Sequence, residues 1–435
     1  MNAIVKPGFV SGATEVITSK SFAHRALICA ALASLNGGES VLRGVNDSDD
    51  VNATIGVLTA LGFVLERTGG TVAVKAADKE SLKQNAVADC RESGSTLRFM
   101  LPVTAALGIN AKIIGTEKLL SRPTEDLLRA INAHGVSVEK GGKGISLSGK
   151  LSGGTFEIKG DVSSQFITGL LLASPLTGGA EIRITGELVS ADYILLTGQV
   201  MSHFGVAVEA ENNVFTVRNG CGYRSAALSV EADWSNAAFP LVAGAIAGTD
   251  KGVVVLNTSD SAQGDIRIKD ILRSAGAVVE TEGSFSEYRR ATVVKPSRLK
   301  AFVTDAENIP DMIPVLAVLA ANAEGTSKIT GVNRLREKES DRLAAITENL
   351  TAMGGRVRYD GEVKGGALYI EGGVKLKGAV LNSHNDHRMV MSAAVAALAA
   401  EGETTIIGAE AVNKSYPGFF DMMKALGADI TIENP

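Results

Sequence analysis

The chain has 435 residues, of which 45% are hydrophobic and 21% are charged, and its net charge at pH 7 is −5. This length exceeds one ordinary hydrophobic core, so we expect two domains. The acidic balance argues against a nucleic-acid-binding surface, which needs an excess of basic residues. The cysteine count is three, widely spaced and without a CxxC pair, which indicates a reducing compartment and no structural zinc.

No targeting or membrane signal is evident in the sequence. The segment Met1 to Ser11 lacks the charged and apolar regions of a secretory peptide. Apolar runs such as Met389 to Ala400 are too short and too rich in alanine to span a bilayer. We therefore expect a cytoplasmic monomer that binds neither membranes nor nucleic acids.

Taken in order, the chain repeats one pattern six times. An apolar segment that predicts a buried helix is followed by a short strand, a polar loop, an amphipathic helix and a second strand. The apolar segments are 26–38, 98–108, 166–179, 237–248, 312–325 and 389–402. Glycines suited to a left-handed helix end close the amphipathic helices, and they are Gly62, Gly135, Gly205, Gly276, Gly354 and Gly427.

A repeat of roughly 70 residues is supersecondary in size, and three such repeats make a domain of ordinary length. We predict an α/β protein with two domains of three repeats each. The first domain is expected at 19–231, and the second at 232–435 together with the lead-in 1–18. From the pattern alone, that lead-in could pair with either half.

The residues just before the apolar helices are polar and in places cationic. N-capping by Ser, Thr, Asp or Asn accounts for most of them. It does not account for the cations, which at an exposed helix N-terminus oppose the helix dipole by roughly 0.3–1 kcal/mol each. These cations are Lys20, Arg25, Arg98 and Arg388. A bound anion reverses the sign of that effect, so we predict anion sites at these helix starts. Gly94, flanked by serines, allows a phosphate to approach the backbone closely.

The polar loops that follow the first strands add further candidates. These are Ser121-Arg122, Ser190 with Tyr193, the charged run 334–342, and Lys414. A charged run is usually a solvated face, but this one has the same place in the repeat as the other cationic loops. His384 and His387 suggest a metal, yet no carboxylate or cysteine pattern completes a site, so we expect none.

Motifs spread along the chain are KSFAHRALICAAL, SGSTLR, SSQFITGLLLA, KESDRL, DHRMVMSAAVAAL and KSYPGFF. Together they resemble those of the 5-enolpyruvylshikimate-3-phosphate synthase family over nearly the whole chain. The resemblance implies a two-domain inverse α/β barrel, each domain of three βαβαββ units, with the active site in the cleft between them. It also implies transfer of the enolpyruvyl group of phosphoenolpyruvate to the 5-hydroxyl of shikimate 3-phosphate, in the shikimate pathway to chorismate and the aromatic amino acids. Phosphate is the leaving group, so no cofactor is required.

The resemblance also implies the site residues. Those for shikimate 3-phosphate are Lys20, Ser21, Arg25, Ser163, Ser164, Gln165, Ser190, Tyr193, Asp311, Arg334 and Lys338. Those for phosphoenolpyruvate are Lys20, Gly94, Arg122, Gln165, Arg342, Arg388 and Lys414. The reaction needs a proton donor and a proton acceptor. Asp311 is the candidate at the 5-hydroxyl, and Glu339 is the candidate at the methylene carbon, with Lys20 as a competitor.

Two alternatives stay open. A related enolpyruvyl transferase acts on UDP-N-acetylglucosamine, but it typically has a cysteine in the loop equivalent to Gly115 to Pro123, which here has none. A non-catalytic anion-binding protein is the other alternative, although it would gain nothing from Asp311 and Glu339 among the cations. Two positions depart from the family pattern, since Arg334 and Glu92 stand where many members have asparagine.

Overall fold

The computed structural model describes residues 1–258, 260–285 and 289–434. Its helices are α1 Lys20–Ser34, α2 Asp49–Ala60, α3 Gly94–Leu107, α4 Glu117–Ser121, α5 Glu125–Asn132, α6 Ser164–Ala173, α7 Ala191–His203, α8 Trp234–Ala247, α9 Ile268–Ser274, α10 Ile313–Ala321, α11 Arg342–Ala352, α12 His387–Leu398 and α13 Phe419–Ala425. Short 3-10 helices lie at Lys79–Ser81, Ser174–Thr177, Gly264–Arg267, Pro310–Met312, Asn333–Glu337 and Ala409–Lys414.

The strands are short. They are β1 Asn2–Val5, β2 Val10–Glu15, β3 Ser40–Arg43, β4 Leu65–Thr68, β5 Thr71–Val74, β6 Ala86–Asp89, β7 Ala111–Ile114, β8 Val136–Gly141, β9 Gly144–Gly149, β10 Gly154–Lys159, β11 Ala180–Thr185, β12 Glu209–Glu211, β13 Val214–Val217, β14 Ala227–Ser229, β15 Gly248–Leu256, β16 Val278–Phe285, β17 Arg289–Lys295, β18 Val303–Asp305, β19 Gly325–Thr330, β20 Arg356–Asp360, β21 Ala367–Gly372, β22 Val380–Asn382, β23 Thr404–Ile407 and β24 Ile430–Glu433.

The predicted apolar segments form the buried helices α1, α3, α6, α8, α10 and α12, which confirms that part of the repeat. The glycines predicted to end the amphipathic helices all have positive φ, from +82° at Gly205 to +108° at Gly62, as expected for left-handed helix ends. The third segment was predicted to run further than it does. Its helix α6 ends at Ala173 because Pro175 opens a 3-10 turn.

In the part of the chain that the structure describes, six four-stranded sheets repeat one arrangement. In each sheet the first two strands are parallel and the remaining neighbours are antiparallel. The orders are β14-β3-β5-β4, β6-β7-β9-β8, β10-β11-β13-β12, β2-β15-β17-β16, β18-β19-β21-β20 and β22-β23-β1-β24. Each sheet is therefore one copy of the repeat that the sequence pattern predicts.

Backbone hydrogen bonds show which half of the chain the lead-in 1–18 pairs with. Strand β1 lies between β23 and β24, and β2 lies beside β15, so both strands belong with the second half of the chain. Strand β14 returns to β3 and completes the first sheet. The chain divides into a first unit, Thr18–Glu231, and a second unit, Met1–Ile17 with Ala232–Pro435.

Helices α3 and α6 approach each other closely inside the first unit because Gly169 has no side chain. A Cβ atom at this position would lie 2.4 Å from the carbonyl oxygen of Arg98 and 2.9 Å from Cγ of Pro102. In the second unit, α8, α10 and α12 contribute to one buried apolar cluster. Among the helices that the structure describes, none is both long and apolar enough to cross a membrane.

Gly169→Ala is expected to destabilise the first unit by about 1–3 kcal/mol, because the new methyl group overpacks the contact between α3 and α6. Gly56→Ala is the matched control, since Gly56 is also helical and a Cβ there meets nothing within 4 Å. Replacing glycine by alanine at such a position gains about 0.5–1 kcal/mol. Urea unfolding measures both changes, and equal midpoints for the two variants would contradict the close packing.

Candidate active site

The start of each buried helix depends on how its first backbone N–H groups are satisfied. In α1, α3, α6, α8 and α12 the caps are Ser19, Ser93, Ser163, Asp233 and Asp386, whose side chains each accept a hydrogen bond from a backbone N–H. Helix α10 differs, because Pro310–Met312 forms a 3-10 turn and Met312 is at the cap position. Asp311 therefore caps nothing, and its carboxylate is used for side-chain contacts.

Lys20 is the first residue of α1, and it forms an ion pair with α2. Its Nζ lies 2.8 Å from Oδ2 of Asp50, and the two side chains are only 14% and 16% exposed. The sequence interpretation selected Lys20 but not Asp50. The one available signal was a pair of acidic residues, Asp49 and Asp50, at the start of the amphipathic helix that follows the lysine.

Arg25 is buried and joins α1 to α7. Its Nε donates to Oγ1 of Thr197 at 2.8 Å, and its Nη1 donates to the carbonyl oxygen of Ser21 at 2.7 Å. Nη2 donates to the carbonyl oxygen of Tyr193 at 3.1 Å, and the guanidinium lies over the ring of Phe99. Burial lowers the pKa of Arg25 to about 10, against the opposing effect of Tyr193. Arg25 thus connects Ser21 with Tyr193, and all three of these residues were predicted for one substrate.

Gly94 opens α3 beside two arginines. A Cβ atom at this glycine would lie 2.9 Å from Nη1 of Arg122 and 3.2 Å from Nη1 of Arg98. Nη1 of Arg98 donates to Oε1 of Gln165 at 2.7 Å, and Nε2 of Gln165 donates to Oγ of Ser95 at 3.0 Å. The structure therefore brings together Gly94, Arg122 and Gln165, which were predicted as a set. It adds Arg98, which the sequence marked as a misplaced cation but did not assign.

The predicted serines lie at the starts of α6 and α7. Oγ of Ser163 accepts the N–H of Gln165 at 3.3 Å, and Ser164 is the first residue of α6. Ser190 precedes α7 with a left-handed backbone, at φ 55°, and its side chain is buried. Such conformations carry strain in residues other than glycine and occur often at functional sites.

In the second unit, Arg342 binds three carboxylates at once. Its side chain is 1% exposed. Nη1 donates to Asp311 and Nη2 to Glu339, each at 2.7 Å. Asp386 accepts from Nε at 2.8 Å and from Nη2 at 3.2 Å. Burial alone lowers the pKa of Arg342, but the carboxylates, Asp386 first, raise it well above its ordinary value. The two candidate proton-transfer groups, Asp311 and Glu339, therefore share one guanidinium.

Asp311 is held ionised by the cations around it. Burial works to raise the pKa of Asp311, but Lys338, Arg342 and Arg388 outweigh it and hold the pKa well below its ordinary value. Nζ of Lys338 lies 3.4 Å from Oδ1 of Asp311. The pKa of Lys338 is lowered, by burial first and then by the charge of Arg334, which overcome the effect of Asp311.

Arg388 and Lys414 are anchored to backbone carbonyl groups. Nη1 of Arg388 donates to the carbonyl oxygen of Ser235 at 3.1 Å, while Nζ of Lys414 donates to that of Asn385 at 2.7 Å. Within the ranges that the structure describes, Nε of Arg388 is buried and has no hydrogen-bond partner. The sequence indicated Asp386 only as part of the polar start of α12, and not as a partner of Arg342.

The predicted site residues fall into two sets, one in each unit. The first set runs from Lys20 to Tyr193 and the second from Asp311 to Lys414. Nε2 of His384 lies 3.4 Å from Glu348, an exposed surface carboxylate. Among the described residues, no group of three histidine, cysteine or acidic side chains is placed to hold a metal ion.

Comparison with solved structures defines the class of protein. The chain is similar to EPSP synthase from Acinetobacter baumannii, with a TM-score of 0.82, 25% identity and coverage of 99% of this chain and 100% of that one. It is also similar in fold to an enolpyruvyl transferase from Streptomyces tendae, with a TM-score of 0.78, 19% identity and coverage of 99% and 98%. The fold is that of the enolpyruvyl transferases, which confirms the predicted two-domain inverse α/β barrel.

The chain belongs to the EPSP synthase (3-phosphoshikimate 1-carboxyvinyltransferase) family, whose model matches residues 4–423. A relative named 3-phosphoshikimate 1-carboxyvinyltransferase, from Clostridium kluyveri, is 37% identical over 98% of this chain and 97% of its own length. The family transfers the enolpyruvyl group of phosphoenolpyruvate to shikimate 3-phosphate. The resemblance seen in the sequence motifs, and the transferase activity that it implies, are confirmed.

Asp311→Asn is expected to destabilise the protein most near neutral pH. The pKa of Asp311 in the folded state is below the unfolded value of about 3.9, so its ionised form stabilises the fold above about pH 4. That contribution is lost as the pH falls further, and the difference from the unchanged protein should shrink. Urea unfolding between pH 7 and pH 3 measures it.

The control for this series is Asp270→Asn, which removes one partner of an exposed ion pair with Arg273. Its effect is expected to stay within about 0.5 kcal/mol at every pH. A cost of Asp311→Asn that is constant across the range, or that grows in acid, would contradict the ionised state assigned to Asp311.

Proposed function

We propose that both sets of residues act on the same pair of substrates in the family reaction. The observation that carries this proposal is the position of two carboxylates on one guanidinium. Asp311 accepts from Nη1 of Arg342 and Glu339 accepts from Nη2, and other cations lie around them. Carboxylates can take up and release protons, whereas binding phosphates needs cations. A site that only bound anions would have no use for both.

The first unit is proposed to bind both substrates through their anionic groups, because each substrate carries a phosphate and a carboxylate. Gly94, Arg122 and Gln165 are assigned to phosphoenolpyruvate, with Arg98 orienting Gln165. Nε of Arg122 is buried without a hydrogen-bond partner among the described residues, which favours an acceptor supplied by the substrate. The assigned contacts of shikimate 3-phosphate in this unit are Lys20, Ser21, Arg25, Ser163, Ser164, Gln165, Ser190 and Tyr193.

The second unit is proposed to bind both substrates as well. Lys338, Asp311 and Arg334 are assigned to shikimate 3-phosphate. The assigned contacts of phosphoenolpyruvate are Arg342, Arg388 and Lys414. The four hydrogen bonds from Arg342 to carboxylates use four of its five N–H groups, which leaves one on Nη1 for a substrate oxygen. Arginine suits this task because its planar fork matches carboxylate and phosphate oxygens.

Asp311 and Glu339 are proposed to move the protons. Asp311 is held ionised, so it accepts the proton of the 5-hydroxyl as that oxygen adds to C2 of phosphoenolpyruvate. Glu339, or Lys20 in its place, gives a proton to C3. When phosphate leaves C2, it takes up the proton held by Asp311, C3 returns its proton to the group that donated it, and the carbon–carbon double bond re-forms. The electron pair of the broken C–O bond leaves with phosphate, so the reaction needs no oxidant or reductant.

We further propose that the protein works as a cytoplasmic monomer. Its three dispersed cysteines suit a reducing compartment, and two of them, Cys29 and Cys90, are buried as free thiols. Burial raises the pKa of Cys29 to about 12, which keeps this thiol protonated and unreactive at neutral pH.

The reaction is tested by phosphate release from phosphoenolpyruvate with purified protein, shikimate 3-phosphate and no added metal. We expect release that depends on both substrates. Activity with UDP-N-acetylglucosamine, and none with shikimate 3-phosphate, would overturn the proposal in favour of the related transferase. The loop 115–123, which lacks a cysteine, favours shikimate 3-phosphate.

Lys20→Met is expected to reduce turnover by a factor of about 10²–10⁴ or more, because it removes a cation assigned to both substrates and a candidate proton donor. The matched control is Lys75→Met, which removes a lysine from a more exposed ion pair with Glu39 in the same unit. It should leave kcat and both KM values unchanged. Full activity of Lys20→Met in a folded protein would rule out the role assigned to Lys20.

A further inference from the structure

A line of four polar side chains is buried in the core of the first unit, below the ion pair of Lys20 and Asp50. The four are His24, Thr54, Thr96 and Ser93, each at most 1% exposed. His24 follows Lys20 by four residues on α1, and Thr54 follows Asp50 by four residues on α2. Residues four apart share a helix face, so α1 and α2 are joined twice, first by the ion pair and one turn further by these side chains.

Three short hydrogen bonds connect the line. Nδ1 of His24 lies 2.7 Å from Oγ1 of Thr54, which lies 2.7 Å from Oγ1 of Thr96. Thr96 then donates to Oγ of Ser93 at 2.7 Å. Ser93 caps α3 and immediately precedes Gly94. The chain of hydrogen bonds therefore runs from α1 through α2 to the start of α3.

The order of donors and acceptors along these hydrogen bonds determines which nitrogen of His24 carries the proton. Thr96 has one hydroxyl hydrogen, and Ser93 receives it at 2.7 Å in preference to the carbonyl oxygen of Asp50 at 3.5 Å. Thr54 must then donate to Thr96, and so it must accept from His24. Nδ1 of His24 therefore carries the proton, and Nε2 carries a lone pair.

The surroundings of His24 agree with a neutral ring. Nε2 is buried and has no hydrogen-bond partner in the part of the chain that the structure describes. The pKa of His24 lies well below its ordinary value because the ring is buried and because Lys20 and Arg25 are positively charged. The edge contact with Phe99, at 6.4 Å between ring centres and 85° between planes, holds the ring in place.

A structural core does not require this arrangement. Ser93 caps α3 with its own side chain, and apolar side chains would pack between three helices without the cost of burying hydroxyl and imidazole groups. What the chain adds is a fixed relation between the starts of α1 and α3, where Lys20 and Gly94 lie. Buried hydrogen bonds of this kind, strengthened by the low local dielectric, hold the helices that they join in a fixed relation.

We propose that His24 is a positioning residue for phosphoenolpyruvate: by donating from Nδ1 to Thr54, it holds Lys20 and the start of α3 in the relation that binds this substrate. The inference rests on the proposed roles of Lys20 and Gly94. It does not place His24 in contact with either substrate.

The kinetic test compares His24→Leu and Thr54→Val. Each variant breaks this series of hydrogen bonds and approximately keeps the volume of the side chain. Each is expected to raise the KM for phosphoenolpyruvate about tenfold, since small misplacements of binding groups are costly. The KM for shikimate 3-phosphate should rise less than about threefold, because Lys20 is assigned to both substrates but Gly94 only to phosphoenolpyruvate. His24→Asn, whose amide also donates to Thr54, should restore the KM to within about threefold.

The control is His134→Leu, which removes a histidine of the same unit that stacks on Phe156 at 3.8 Å and lies outside both substrate sites. It should leave both KM values unchanged. Equal rises of both KM values in His24→Leu, or the same rise in the control, would show that the effect is not specific to phosphoenolpyruvate and would overturn the inference.

The protonated nitrogen is read directly by nitrogen-15 NMR of the imidazole in the unchanged protein. A proton on Nδ1 supports the chain, and a proton on Nε2 overturns it, whether or not the protein turns over substrate. No phosphate release by the unchanged protein would overturn the proposed function itself. Release with an unaltered KM for phosphoenolpyruvate in folded His24→Leu and Thr54→Val would overturn only the role of His24.

Discussion

The ion cluster around Arg342 is the contact on which the second unit's site depends. Three carboxylates and a buried guanidinium are stable together only because each charge has its partner, and removing one partner from a buried pair commonly costs about 3–5 kcal/mol. The cluster also brings Asp311 and Glu339 together from different elements, a turn before α10 and the loop before α11. Binding chemistry and fold stability therefore rest on the same hydrogen bonds.

The first unit also buries an arginine, but among the described residues this arginine has no carboxylate as a hydrogen-bond acceptor. Its buried helices meet near Arg25, whose donors go to a hydroxyl group and to carbonyl oxygens rather than to carboxylates. The burial of Arg25 is thus compensated by dipoles, and that of Arg342 by opposite charges. This difference fits the proposed division, in which the first unit contributes mainly anion binding and the second adds the carboxylates for proton transfer.

The elements could be predicted well because their signals are local. Apolar runs of about three turns, and glycines such as Gly62 and Gly427, determine helices and helix ends within a few neighbouring residues. Where the sequence prediction went wrong, a local competitor decided the outcome. In the third repeat the β-branched run Val206 to Glu209 predicts a strand, but the strand begins only at Glu209, and the N–H of Val206 still bonds to the carbonyl oxygen of Met201 at the end of α7.

By itself, the sequence determined the sixfold repeat, the family motifs and the cations that conflict with plain capping. Only the tertiary structure decided the partners: Asp50 for Lys20, Asp386 for Arg342, and Thr54 for His24. Each pair is separated by 30 or more residues along the chain. The reason is physical, since a helix start shows in sequence that its N–H groups need acceptors, whereas a buried charge is neutralised by whichever side chain the packing of other helices brings to it.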